Sequence, residues 1–200
     1  MKFTGIGLLA IYMGVMVLMT SAGEAATING VKLPNSVNSQ KINQEKTAQE
    51  WFNQGLDYHK RYLYDRAIQA YTKALELDGQ IADVYYNRGH AYAETRKYDA
   101  ALADFNKAID LAPQDVEAYY NRGVVYDAKE LYDQALADYN KAIEFDPKFS
   151  DAYYNKAIAL ENLGRSEEAK AAYEGFIQYA PANDPDLLFA KERLQILSQN

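Results

Sequence analysis

The side chains able to do covalent or metal chemistry are few in this 200-residue chain, which has no cysteine and only two histidines. Without cysteine there is no disulfide, no thiolate nucleophile and no thiolate metal ligand. His59 and His90 could meet across neighbouring helices, but a metal site needs a third and a fourth ligand, and no spacing supplies them. Between residues 48 and 183 the only serines are Ser150 and Ser166, neither with a histidine nearby in sequence. Carboxylate pairs such as Glu167-Glu168 read as a solvated helix start rather than an acid/base couple. What the chain does have is tyrosine, 18 residues against a single tryptophan. A tyrosine offers a rigid apolar face and a polar tip at little entropic cost, which is the chemistry of recognition rather than of catalysis. The expectation is therefore a protein that binds: no enzyme, no metal and no cofactor.

Charge narrows the ligand. Residues 1–47 hold 4 basic and 2 acidic side chains, whereas residues 48–200 hold 17 and 26, a net of −9. An acidic body repels a phosphate backbone, so nucleic acid is not the expected partner. The N-terminal part differs in kind. After Met1-Lys2, an uncharged apolar run from Ile6 to Met19 is followed by small residues at Thr20, Ser21, Ala22, Gly23, Ala25 and Ala26. The run is shorter than the ~20 residues of a membrane-spanning helix and has the flanks of a signal peptide over residues 1–25, with Ala22 and Ala25 both suited to precede a cut. Counted from Phe3 to Thr20 it would also serve as an uncleaved N-terminal anchor facing the periplasm. Either reading implies export, to a periplasm or the exterior. Residues 26–47 are polar and aperiodic, a linker with no core of its own.

The elements that would position the tyrosines emerge from self-comparison. Aligning Ala82–Asp115 with Val116–Phe149 gives 17 identities in 34 positions, including YYNRG, YD, ALAD, NKAI and a closing Pro. The same frame covers 48–81 and 150–183, so four units follow one another without a gap. Tyr85, Gly89 and Tyr92 lie at i, i+4, i+7, one face of a helix. Glycine and alanine at such positions let helix axes approach at ~8–10 Å, with large rings filling the hollows beside them. The Pro after the second helix of the last three units stops it, having no N–H and disfavouring helix in the residue before it. One helix pair cannot cover its apolar face, so a terminal helix must close the stack. Residues 184–200 supply it, with Leu187, Ala190, Leu194 and Leu197 as one stripe. Leu188, Phe189 and Ile196 fall off that stripe, leaving apolar surface for a partner or for a homodimer through the cap.

These letters resemble the tetratricopeptide repeat family of exported bacterial type. The aromatic–Gly–Tyr positions read Trp51-Gly55-Tyr58, Tyr85-Gly89-Tyr92, Tyr119-Gly123-Tyr126 and Tyr153-Ala157-Leu160. The second-helix set reads Ala67-Tyr71-Ala74, Ala101-Phe105-Ala108, Ala135-Tyr139-Ala142 and Ala169-Tyr173-Phe176, and the closing residues are Gly79, Pro113, Pro147 and Pro181. The resemblance implies an all-α fold: a right-handed superhelical α-solenoid of four helix-turn-helix units plus a capping helix. It also implies that the first helices line a concave groove. Carrying its ligand-facing positions over gives an acidic row (Asp83, Glu117, Asp151, with Gln49 in the first unit) and an aromatic ladder (Phe52, Tyr86, Tyr120, Tyr154). An amide row follows (Asn53, Asn87, Asn121, Asn155), then Leu56, His90, Val124 and Ile158, with Asp127 and Glu161 adding charge further along.

Such a groove would grip a peptide segment of a partner protein, basic or apolar, drawn in by overlapping fields of the acids. Tyr85, Tyr119 and Tyr153, beside the ladder, read as core, and Tyr92, Tyr98, Tyr126 and Tyr132 as packing. Members that clasp acidic chaperone tails use a basic clamp. Of its positions only Asn87 matches here; Phe52, Leu56, Glu117 and Asn121 do not. A second class of ligand fits the same residues, because rings with neighbouring amides and carboxylates also suit a polysaccharide.

Overall fold

The computed structural model describes residues 46–199 and four short strand segments within 1–45. The chain divides into two units, 1–45 and 46–200. In the first, β1 (Leu9–Tyr12) pairs antiparallel with β2 (Val15–Leu18), and β3 (Thr27–Ile28) with β4 (Val31–Lys32). Most of the residues read as leader and linker lie outside the described ones. No described helix is long and apolar enough to cross a membrane.

The second unit is all-α among its described residues. Its helices are α1 (Ala48–Lys60), α2 (Tyr64–Leu77), α3 (Ala82–Glu94), α4 (Tyr98–Leu111), α5 (Val116–Ala128), α6 (Tyr132–Phe145), α7 (Ser150–Asn162), α8 (Ser166–Tyr179) and α9 (Leu187–Leu197). Consecutive helices pack as antiparallel pairs, α1 with α2 through α7 with α8, and each pair packs on the next. A capping box opens the array: Glu50 N–H donates to Thr47 Oγ1 (3.2 Å), and Thr47 N–H to the Glu50 carboxylate (2.8 Å). This satisfies two of the amides that a helix start leaves without partners.

Each first helix ends in the same turn. Leu63, Lys97, Leu131 and Arg165 N–H reach back to the carbonyls of Tyr58, Tyr92, Tyr126 and Leu160 at 2.8–2.9 Å. The residue before each donor lies in the left-handed region: Tyr62, Arg96, Glu130 and Gly164, with φ of 58°, 58°, 59° and 71°. This is the hydrogen-bond pattern of a Schellman motif, and only the last turn has the glycine that adopts it without steric cost.

The core is a column of rings on the second helices. Tyr71, Phe105, Tyr139 and Tyr173 are each 0% exposed, flanked by equally buried Ala67, Ala101, Ala135 and Ala169. Each ring seats against a small residue of its own first helix. A Cβ built on Gly55 would lie 2.3 Å from Tyr71 Cε1, and one on Gly123 2.7 Å from Tyr139 Cε1. The glycines expected from sequence as close-approach positions therefore have that role. Tyr85, Tyr119 and Tyr153, expected in the core, are only half-buried. Their rings lie over the junctions between repeats, with the Tyr85 and Tyr153 hydroxyls donating to Gly79 O (3.5 Å) and Pro147 O (3.3 Å). A phenol needs a partner for its hydroxyl, and these find one at the rim.

The cap helix follows its stripe: Ala190 and Leu197 are buried, Leu187 and Leu194 pack against the core, and Leu188, Phe189 and Ile196 are exposed.

Two internal ion pairs strap the middle of the array. Arg88 forks onto Asp104 (2.7 and 2.8 Å) and reaches Thr72 Oγ1 of the preceding repeat (3.1 Å). One period later, Arg122 forks onto Asp138 (2.7 Å twice) and reaches Asn106 Oδ1 (2.6 Å). Each guanidinium thus ties three helices. The terminal repeats lack the pair: the same positions hold Gln54 with Ala70 and Lys156 with Ala172. Asp104 and Asp138 are the buried charged residues among those described. Asp138→Asn should therefore cost about 3 kcal/mol of stability in urea unfolding, since it leaves Arg122 uncompensated. Asp99→Asn, which breaks the exposed Lys129–Asp99 pair, should cost under about 0.5 kcal/mol.

Candidate functional site: the first-helix face

The four rows expected from sequence lie along α1, α3, α5 and α7, one set per repeat. The ladder residues Phe52, Tyr86, Tyr120 and Tyr154 are half-buried. Each leans on the core ring of its own repeat, at centroid distances of 5.9 Å (Phe52–Tyr71), 6.0 Å (Tyr86–Phe105), 6.1 Å (Tyr120–Tyr139) and 6.5 Å (Tyr154–Tyr173). Phe149 meets Tyr120 edge-on at 5.0 Å, and Phe189 of the cap approaches Tyr154 at 6.3 Å.

Ladder and amide row are not separate features. Asn121 Nδ2 donates to Tyr86 Oη (3.1 Å), and Asn155 Nδ2 to Tyr120 Oη (2.9 Å), each bond crossing from one repeat to the one before. Asn121 Nδ2 also donates to Glu117 O (2.9 Å), as Asn87 Nδ2 does to Asp83 O (2.7 Å). Both Asn121 amide hydrogens are thereby used, which leaves Oδ1 to accept. In the first repeat the ladder position is Phe52, so Asn87 has no hydroxyl to meet; Asn53 instead accepts from Gln49 Nε2 (3.0 Å).

Asp83, Glu117 and Asp151 are exposed, and none forms an ion pair. The cations of α3 and α5, Arg88 and Arg122, are turned to the second helices instead. Partial burial, then Asp115 and Asp151, hold the Glu117 carboxyl above the usual carboxylate range. The acids act on the ladder too. Burial, followed by Glu117, pushes Tyr86 up to about 12, and burial followed by Asp151 does the same for Tyr120. Both phenols stay protonated and able to donate.

Asp127 and Glu161, expected to add groove charge, are half-buried and bonded to the core rings instead. Asp127 Oδ2 accepts from the Tyr139 hydroxyl (2.6 Å), and its Oδ1 is buried without a partner. Burial raises its carboxyl above the ordinary range, against the Tyr139 bond. Glu161 accepts from Tyr173 (2.5 Å) and from Arg193 of the cap, which keep its carboxyl low despite burial. His59, at the equivalent position of the first repeat, meets Tyr71 Oη at 3.4 Å. In the second repeat the core ring is Phe105 and the equivalent position is Ala93. Wherever the ring has a hydroxyl, the first helix supplies a polar group; where it has none, the first helix supplies a methyl.

His59 and His90 do approach, with ring centroids 4.9 Å apart. His90 Nδ1 is buried without a partner, and burial, then His90, depresses His59 below the ordinary imidazole range. Among the described residues no group of three or more His, Asp or Glu could hold a metal.

The fold and this face define a helical-hairpin repeat array with a periodic polar and aromatic surface. Tetratricopeptide repeat models match residues 82–115, 116–149 and 138–171, and a TPR repeat model matches 55–95. Together they span more than half of the sequence, and the chain belongs to the tetratricopeptide repeat family. The first TPR of Spaghetti (RPAP3) bound to the HSP90 peptide SRMEEVD is similar at 29% identity and a TM-score of 0.58, over 59% of this chain and 94% of that one. A structure of MamA matches at 29% and 0.64, over 69% and 79%. The Arabidopsis OM64 TPR domain matches at 26% and 0.56, over 57% and 94%. No curated protein sequence matches the chain significantly.

Phe105/Ala93 is a natural control for Tyr139/Asp127. Tyr139→Phe and Asp127→Ala should each destabilise by about 1–3 kcal/mol, while the double variant should cost less than their sum by about 1–2 kcal/mol in an unfolding cycle. A carboxyl held high in the folded chain binds its proton more tightly there than when unfolded. Asp127 therefore favours folding below the ordinary aspartate range and loses that contribution as pH rises through its raised value. Asp127→Asn should accordingly gain stability relative to wild type between acid and neutral pH, as read by thermal unfolding.

Proposed function

We propose that the protein is a non-enzymatic interaction scaffold of a bacterial cell envelope, exported to the periplasm or beyond, whose first-helix groove grips a basic, extended segment of a partner protein. The observation that carries this reading is the unneutralised acidic row beside a half-buried tyrosine ladder. Asp83, Glu117 and Asp151 recur in the second, third and fourth repeats, exposed and without ion pairs; after burial, Asp115 and Asp151 raise the Glu117 carboxyl, Glu117 the Tyr86 phenol and Asp151 the Tyr120 phenol. A cation laid along the row would relieve that repulsion. Export rests on the Ile6–Met19 run and the small residues after it.

The RPAP3 domain is bound to a peptide rich in acidic residues. The charges on this face would repel such a ligand, with Glu117 and Asn121 at the third-repeat clamp positions and Phe52 and Leu56 at the first. A glycan reading has less support, because the Asn121 donors a sugar would need are already committed to Glu117 O and Tyr86 Oη.

The test is affinity capture on the full chain, in wild type and in the Asp83→Asn, Glu117→Gln, Asp151→Asn triple variant. A partner held by wild type and lost from the variant, with binding that falls as salt rises, supports the reading. The same partner on both baits, indifferent to salt, removes the acidic row from the mechanism. Alanine at Tyr86 or Tyr120 would be a poorer probe, since it also breaks a bond between repeats. On acidification, capture should begin to fail above the ordinary glutamate range, where Glu117 takes up its proton.

A further inference from the structure

The periodicity of this face says more about its occupant than its charge does. We propose that the groove reads a polyproline II segment with Lys or Arg at every third residue, one cation per repeat. The proposal rests on the basic-segment reading above and adds a register to it.

Neighbouring first helices are in direct side-chain contact, at 3.1 Å from Asn121 to Tyr86 and 2.9 Å from Asn155 to Tyr120. Cα atoms of neighbouring first helices also come within 8 Å, so the axes lie at the ~8–10 Å of packed helices and each acid recurs at about that interval. A polyproline II helix rises ~3.1 Å per residue with three residues per turn, returning to the same face every ~9.3 Å. A β-strand matches the distance at three residues, ~10 Å, but alternates faces, so its third residue points away; two or four residues give ~6.6 or ~13 Å. An α-helix returns to one face after seven residues, ~10.5 Å, and so competes on spacing alone.

Hydrogen bonding separates those two. With both amide hydrogens of Asn121 spent, the third repeat offers an acceptor, Asn121 Oδ1, and Tyr86 and Tyr120 offer donors, since each accepts from the next repeat's Asn but keeps its own hydrogen. An α-helix has already paired its backbone groups and has nothing for them. A polyproline II backbone has no internal hydrogen bonds and presents N–H and C=O groups for the taking, except at proline nitrogens. Proline rings at intervening positions would lie on the half-buried faces of Tyr86, Tyr120 and Tyr154, as proline-rich segments do in aromatic grooves. The occupant is thus a Lys/Arg-x-x repeat with proline among the intervening residues, covering the acids at Asp83, Glu117 and Asp151.

The experiment is a titration of the full chain, followed by fluorescence anisotropy, with labelled ten-residue peptides built from one composition of Lys, Pro and Ala. Each carries three lysines, spaced by three residues (i, i+3, i+6) in one and by two (i, i+2, i+4) in another. A longer, helix-forming peptide carries lysine at every seventh. The every-third peptide should bind roughly tenfold more tightly than the every-second one at low salt. Glu117→Gln should then be coupled to the loss of the middle lysine: either change weakens binding, and the second adds little once the first is made. Equal affinity for the two short peptides, with strong salt dependence, overturns the register and leaves the basic-segment reading standing. Tighter binding of the helical peptide overturns polyproline II in favour of a helix. If no peptide binds even at low salt, the basic-segment reading itself fails and this proposal with it.

Discussion

The array depends on a buried ring on each second helix, which in the first three repeats lies against a glycine of the first helix. Tyr71, Tyr139 and the others bring a large apolar area into the core, where each square ångström removed from water contributes about 25 cal/mol. In the first three repeats Gly55, Gly89 and Gly123 leave no Cβ where the ring edge must go, and in the fourth the position is Ala157. A ring that deep carries its polar atom inside with it, and the rest of the repeat adjusts. Tyr139 needs Asp127, Tyr173 needs Glu161, Tyr71 has His59, and Phe105 permits Ala93. Asp127 and Glu161 are on the first helix because of a phenol on the second.

The same logic divides the repeats into a middle and two ends. Arg88 and Arg122 each reach the second helix of their own repeat and of the one before, so they require a repeat on the N-terminal side. The first repeat has none, and Gln54 stands there opposite Ala70. The last repeat drops the Asp as well, and the cap ties itself in by another route, Arg193 to Glu161. A stack stabilised through nearest neighbours needs different chemistry where a neighbour is missing. The ends are where these sequences depart from the shared letters.

Helix count, pairing, small-residue contacts and the cap stripe were legible in the sequence because they depend on period and side-chain size, and both are visible in letters. Charge partners were not. Arg88 and Asp104 are sixteen residues apart, and each alone looks like a residue of a solvated face. Asp127 read as groove charge because its helix position points that way, and only its 2.6 Å bond to Tyr139 shows that it is held inward. A signal was nonetheless present: Tyr and a polar first-helix residue occur together in three repeats, and Phe and Ala together in the other. Comparing each repeat with its siblings at paired positions, rather than each position alone, would have found it. The ladder was half legible. Its residues were placed, but the Asn–Tyr bonds joining one repeat to the next depend on helix spacing that letters do not give.

Those bonds settle which parts of the face are free to choose a ligand. Tyr86, Tyr120, Asn121 and Asn155 already hold repeat to repeat, so changing them alters the array as well as the surface. The acids hold no repeat to its neighbour: Asp83, Glu117 and Asp151 pair with no cation, and Asp151 adds to the burial that raises the Glu117 carboxyl. Each acid lies in the first turn of its helix, where the dipole favours a carboxylate by about 0.3–1 kcal/mol, and that local contribution does not depend on the neighbouring repeats. A face that separates a fixed ruler of amides and phenols from a variable row of charges can keep its periodicity while changing what it attracts. In this chain the ruler recurs once per repeat and the exposed row beside it is acidic, which is the arrangement that the proposed basic, periodic segment would meet.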